Sequence, residues 1–142
     1  MKGHSVWSAF CLPGNIIERG LWIELKKELM EMGLFDPMYK KPIPKYARRI
    51  GVITASSGAA VRDIVQIARR RNPFVEITLF PALVQGEGAV ASIVRGIERL
   101  DKLGLDALIV GRGGGSIEDL WAFNEEAVAK AIFDAETPII SA

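Results

Sequence analysis

Thiol and imidazole groups are scarce in this chain. Its 142 residues include one cysteine, Cys11, and one histidine, His4. A lone cysteine excludes an internal disulfide and a cysteine-built zinc site, and it fits a reducing, cytoplasmic setting. His4 stands in an unpatterned leader, which makes a catalytic role improbable. No apolar run approaches the roughly 20 residues needed to cross a bilayer, so a helical membrane span is excluded. The opening MKGHSVWSAFCLPG has one lysine and a broken apolar stretch, a poor match to a secretory signal. Internal repeats and low-complexity tracts are also missing. Net charge is only +1, so overall charge points to no partner.

What is there suits one soluble globular domain: 49% of residues are hydrophobic and 25% charged, enough apolar material for a core. The charge is unevenly spread. Lys40, Lys41, Lys45, Arg48, Arg49, Arg62, Arg69, Arg70 and Arg71 crowd between positions 40 and 71, where Asp63 is the only acid. Such a run is commonly a solvated face, and it is also what a surface for a phosphate backbone requires.

GLWIELKKELMEMGLFD predicts an amphipathic helix, with Leu21, Leu25, Leu29 and Met32 at helical spacing and Gly33 as its C-cap. PMYKKPIPKYA, with three prolines, predicts a linker or extended arm. A regular alternation follows. Strands are expected at Ile50–Ala55, at Val75–Phe80 (stopped by Pro81), at Ala107–Val110 and from Pro138 to Ser141. Helices are expected over Ala59–Arg71, over Ala89–Leu103 with Gly104 closing it, and from an Asn124 N-cap through Ala135. That order predicts an α/β domain whose parallel sheet is buried on both faces.

In a parallel sheet the loops that follow the strands share one edge, where ligands bind near the switch point of strand order. Those loops are TASSGAA, PALVQGEGA and GRGGGSIEDLW. Sequence does not establish the order. If it is 2-1-3-4, which right-handed crossovers favour, the first and third loops are neighbours.

GRGGGS is the most suggestive of them. Gly111, Gly113, Gly114 and Gly115 free the backbone to approach a ligand. Successive amides can form an anion-binding nest, Ser116 adds a hydroxyl, and Arg112 offers a fork suited to phosphate oxygens. A flexible turn whose arginine points into water is the plainer alternative. The stretch matches neither GxGxxG with a ribose-binding acid nor GxxxxGK[ST]. In TASSGAAVRD, residues Ser56, Ser57 and Gly58 fit a turn into a helix N-terminus, a favourable phosphate site. Asp63 either complements that helix dipole or accepts a proton from an attacking water, and position alone leaves both open. Arg62 beside it suits a surface charge or a phosphate contact. Gln85, in the glycine-hinged VQGEG, is a possible hydrogen-bonding group at the crevice. Glu118 and Asp119 can begin a helix or bind a metal, and Trp121 and Phe123 can pack on the sheet edge or stack on a base.

Taken together, KYARRIGVITASSGAAVRDI, FPALVQGEGAVASIVRGIERL and DALIVGRGGGSIEDLWAFNEEAVAKAIFDAETPIISA resemble the central catalytic domain of the exodeoxyribonuclease VII large subunit. The likeness runs from about Gly20 to Ala142, and the GRGGGS(I/L)EDLW block is its most specific part. It implies a Rossmann-like three-layer domain with a parallel sheet of four or more strands, preceded by a helix and arm. Residues 1–19 fall outside it as an unmatched leader, 20–47 form the helix and linker, and 48–142 the catalytic domain.

The resemblance further implies a nuclease that hydrolyses single-stranded DNA from either end to short oligonucleotides. Asp63 matches the acid of the family's GAAxxD motif and Arg112 the arginine of GRGGGS, both treated as catalytic. Ser56, Ser57, Gly58, Arg62, Gln85, Gly111, Gly113, Gly114, Gly115 and Ser116 are the expected phosphate or DNA contacts. No cofactor is strictly required, and a divalent metal is possible without being implied. The implied partners are single-stranded DNA and several copies of a small subunit, bound through a region outside this chain. The family pattern continues past ISA into a VGHETD-like motif that this chain lacks, so the chain alone is expected to be inactive or nearly so. A non-hydrolytic binder of a nucleotide or sugar phosphate is the rival reading.

Overall fold

The computed structural model describes residues 16–111 and 117–141, with the backbone alone at 16–19, 21, 22 and 117–120. Helix α1 (Ile16–Glu31) comes first, then a short 3-10 turn (Pro37–Tyr39). The α/β part follows as β1 (Arg49–Thr54), α2 (Ala59–Arg71), β2 (Glu76–Pro81), α3 (Ala89–Asp101), β3 (Ala107–Val110), a 3-10 segment (Ile117–Asn124), α4 (Glu126–Asp134) and β4 (Ile139–Ser141).

The four strands form one parallel sheet in the order β2-β1-β3-β4. Strand alternation then sorts the side chains. Ile53, Leu108, Val110 and Ile139 point into a core built with Ala89, Ile93, Ile97 and Leu100 of α3 and Val128 of α4. Gly96 lets α3 settle closely on the sheet: a Cβ there would come within 2.9 Å of Phe80 and 3.0 Å of Ile53. Gly51 plays the same part on β1, where a Cβ would meet Leu108, Leu105 and Leu100 inside 3 Å.

The opposite face is covered less evenly than a sheet buried on both sides. Val52, Thr54 and Ala107 are buried there. On β2, however, Leu79 is 37% exposed, and α2 has no buried residue. β2 is an edge strand with α2 as its neighbour on this side, so its outer residues have little to pack against. The same edge position explains Pro81, which was expected to stop the strand but is its last residue, opposite Thr54. On an outer strand the missing N–H removes no ladder bond.

Other boundaries shift for local reasons. Asn124, the expected cap of α4, is buried at the end of the 3-10 segment, and Glu125 is the N-cap. The chain is still coiling at Asn124 and turns extended one residue later (φ −84°, ψ 140° at Glu125). Helix α3 ends at Asp101 rather than Leu103, with Gly104 at φ 62° completing the reversal. In α1, Leu29 is buried and Leu25 packs beside it against Leu34, Ala129 and Phe133, but Met32 faces solvent. The helix ends where Gly33 turns left-handed and the Leu34 amide donates to the Leu29 carbonyl at 3.1 Å. The proline-rich arm docks on α4: the Tyr39 ring meets Phe133 edge-on at 5.0 Å, and Lys41 Nζ donates to the Ala135 carbonyl.

Two carboxylates staple the edge where the strands begin. Asp106 accepts from the amides of Arg48 (2.6 Å) and Arg49 (2.9 Å), which hold it below its ordinary pKa. Asp101 accepts from Glu136 (3.0 Å) and Thr137 (2.8 Å) just before β4. Burial pushes the Asp101 carboxyl up, but the Thr137 and Glu136 amides outweigh it, and the net shift is downward from 3.8. A depressed folded-state pKa gives stability that is present above the unfolded value and lost as pH falls through the folded one. Asp101→Ala is therefore expected to cost about 1–3 kcal/mol at neutral pH, with the gap to the parent closing under acid. Denaturant unfolding at both pH values checks this. Equal stabilities at neutral pH would contradict it.

Candidate functional site

The observed strand order puts the switch point between β1 and β3. Ile53 lies opposite Val110, and the Gly111 amide donates to the Ile53 carbonyl at 3.1 Å. The chain therefore leaves β3 for GRGGGS directly beside the point where β1 leaves for α2. On the other side, the Ala82 amide donates to the Thr54 carbonyl at 3.0 Å, which carries the 82–88 loop past the same spot. All three loops singled out in the sequence begin at one edge.

Each loop has its own local logic. Ser56 and Ser57 form an exposed turn closed by the Gly58 amide on the Ala55 carbonyl (3.4 Å). Gly58 is the N-cap of α2 and offers no side-chain acceptor. Among the described residues, the first amides of that helix have no side-chain cap, the arrangement in which a helix N-terminus favours an anion. The 82–88 loop turns on Gly86 (φ 78°) and Gly88 (φ 84°), conformations that side chains resist. It is pinned by buried Val84 and by the Leu83 amide on Ser92 Oγ at 2.9 Å, leaving Gln85 exposed.

Asp63 sits in the second turn of α2, about 7 Å along the axis from the Gly58 cap. Helix α2 turns Ala60, Val61, Ile64, Val65 and Ala68 toward the sheet and leaves Arg62, Asp63, Gln66 and Arg70 outward. Among the described residues, neither Arg62 nor Asp63 has a hydrogen-bond or ion-pair partner. Arg112, Gly113, Gly114, Gly115 and Ser116 lie outside the described residues, as does His4.

Some expectations separate in space. The basic run divides between the two edges: Arg62 is near the loops, whereas Arg69, Arg70 and Arg71 end α2 at the opposite edge. Arg49 pairs with Glu76 at 3.8 Å, and Lys41 is engaged by the Ala135 carbonyl. Phe123 packs against the main core, and Trp121 is half-buried. Glu118 and Asp119 have only their backbone described, in the 3-10 segment. Among the described residues no cluster of three or more His, Cys, Asp or Glu could hold a metal, and no helix is long and apolar enough to span a membrane. Sequence reading passed over Thr54 and Ser92. Thr54, a buried polar residue ending an apolar strand, was detectable as a hydroxyl in a β-branched run. Ser92 had no such signal, because its role depends on where the loop folds back.

A family model described as "Exonuclease VII, large subunit" matches residues 34–142. A curated exodeoxyribonuclease 7 large subunit from Lachnoclostridium phytofermentans is 62% identical over 118 residues, 83% of this chain and 29% of that protein. Its namesake from Geobacillus kaustophilus is 62% identical over 120 residues, 84% of this chain and 27% of that one. One from Oceanobacillus iheyensis is 59% identical over 119 residues. The chain thus spans under a third of the length of these relatives. A solved phosphate-loop protein superposes with a TM-score of 0.39 at 16% identity, covering 66% of this chain and 76% of that one, too loosely to carry weight. The family match takes in the whole sheet and all three loops, and the chain belongs to the exonuclease VII large subunit family.

Proposed function

We propose that this chain is the catalytic domain, residues 48–142, of a cytoplasmic nuclease that hydrolyses phosphodiester bonds of single-stranded DNA, the activity belonging to the full-length large subunit with its small subunit. The observation that supports it most is the Gly111–Ile53 bond, which ties the first glycine of GRGGGS to the strand that leads into α2. A phosphate between them meets helix amides on one side and Arg112 with the glycine-loop amides on the other.

In this reading water attacks phosphorus and the bond to the leaving oxygen breaks. Asp63 orients the water or takes its proton. Arg112 and the loop amides stabilise the charge that builds on the non-bridging oxygens. Gly58, Ser56 and Ser57 shape the turn, and Arg62 and Gln85 contact flanking phosphates. The leaving oxygen takes its proton from a general acid, and the histidine of the family's VGHETD-like motif is a candidate for general acid or base.

The test is binding and digestion by the full-length protein. Salt-sensitive binding of oligonucleotides together with release of short oligonucleotides is the expected result. Saturable binding of a mononucleotide without digestion would favour the rival, a non-hydrolytic phosphate binder.

A further inference from the structure

Two aromatic side chains stand in solvent at the edge where the strands begin, away from the loops described above. Tyr46 is 80% exposed and Phe74 is 87% exposed. A fixed turn presents Phe74: the Asn72 amide bonds to Ala68 O (2.8 Å), Asn72 Oδ1 accepts from Phe74 N (3.1 Å), and the Val75 amide returns to Asn72 O (3.2 Å). Arg49 lies opposite Glu76, and the Glu76 amide still bonds to Arg48 O at 2.7 Å. Counting back by the same offset aligns Ala47 with Phe74, so the Tyr46 and Phe74 backbones enter at one corner of the sheet.

Cations surround that corner. The Lys45 ammonium lies 5.4 Å from the Tyr46 ring centroid, Arg48 follows, and Arg69, Arg70 and Arg71 lead directly into the Asn72 turn. The nearby acids are taken: Glu76 by Arg49, and Asp106 by the Arg48 and Arg49 amides. Among the described residues, Arg69, Arg70 and Arg71 have no carboxylate partner, whereas Arg48 faces the Asp106 carboxylate electrostatically. Basic residues at a helix C-terminus complement its dipole, and single exposed apolar residues are ordinary. Neither accounts for two bare rings set among unpaired guanidinium groups.

We propose that this corner is a second binding surface for single-stranded nucleic acid, with Tyr46 and Phe74 stacking on bases and the arginines holding phosphates. Rings interleaved with cations grip single strands without reading sequence, because every base offers a flat face. The substrate class rests on the proposed function, but the location does not coincide with its loops. The six residues of β1 separate the two edges by roughly 20 Å. A long strand can be held at both edges, whereas a trinucleotide reaches only one.

Fluorescence anisotropy of labelled oligothymidylates on the chain decides the matter. Tyr46→Ala/Phe74→Ala is expected to weaken binding of a long oligothymidylate at least about tenfold, leaving the circular dichroism melt unchanged. Arg70→Ala/Arg71→Ala should lower the slope of log affinity against log salt by about 1.4, the share of two phosphate contacts on a single strand. Undiminished long-strand binding in both variants would overturn the proposal. So would a loss of stability or subunit association in the full-length variants with DNA binding intact, which would make the corner a protein contact. Loss of long-strand binding in a protein whose full-length form never digests DNA would sink the hydrolytic reading and leave this surface standing.

Discussion

Arg112→Ala in the full-length large subunit, assayed with its small subunit, is expected to slow digestion of single-stranded DNA by about 10²–10³-fold, the usual consequence of removing one preorganised donor to a developing oxyanion. The loss should fall on kcat more than on KM. A guanidinium that meets the phosphate most strongly as charge accumulates adds little to the ground-state complex. Lysine should rescue only part of the rate, because a point charge replaces a planar fork but not its two parallel hydrogen bonds. The fold fixes the approach to this residue: β3 ends at Val110, and the Gly111 amide, one residue before the arginine, is tied to β1. A single-turnover measurement separates binding from chemistry. An unchanged single-turnover rate would remove Arg112 from the reaction.

The second large effect is on stability. Ile53→Ala is expected to cost about 2–5 kcal/mol, a sizeable share of what a domain of this size has to lose. Ile53 is fully buried on an inner strand, close under Gly96 of α3, so its truncation leaves a cavity between helix and sheet. Ile67→Ala, on the thinly covered α2 side, should change stability by no more than about 0.5 kcal/mol, since Ile67 is half in water already. Denaturant midpoints for the pair measure the asymmetry of the two faces. Comparable losses would show that α2 carries as much of the core as α3.

The fold was legible where one pattern dominates. Helix α2 and strand β3 begin and end where expected because an amphipathic stretch and a short β-branched run are each bounded by glycine or turn residues. Sequence left the strand order open, and the order that right-handed crossovers favour is the one observed. Boundaries failed where tertiary position outranks local preference: Pro81 is tolerated because β2 is an edge, and Asn124 is buried at the end of a 3-10 segment instead of capping α4. Of the site, sequence identified which loops share an edge. It did not show that the basic run splits, because Arg62 and Arg71 are nine positions apart on a helix and so at opposite ends of the sheet. Nor could it show Ser92 clasping the 82–88 loop, a contact made only once α3 folds back over β2. Tyr46 and Phe74 went unnoticed for the same reason. They are far apart in sequence, and parallel pairing of β1 with β2 brings their backbones to one corner.

The most direct test of a single shared site is a double-mutant cycle on the full-length enzyme, with Asp63→Asn, Arg112→Ala and the two together, read as kcat/KM on single-stranded DNA. Groups that act on one phosphate lose their effects together, so the double variant should be little slower than the worse single one. Asp63 is exposed, so Asp63→Asn should not melt earlier than the parent. If the two losses multiply, or if Asp63→Asn digests at the parent rate, Asp63 and Arg112 do not serve one reacting centre.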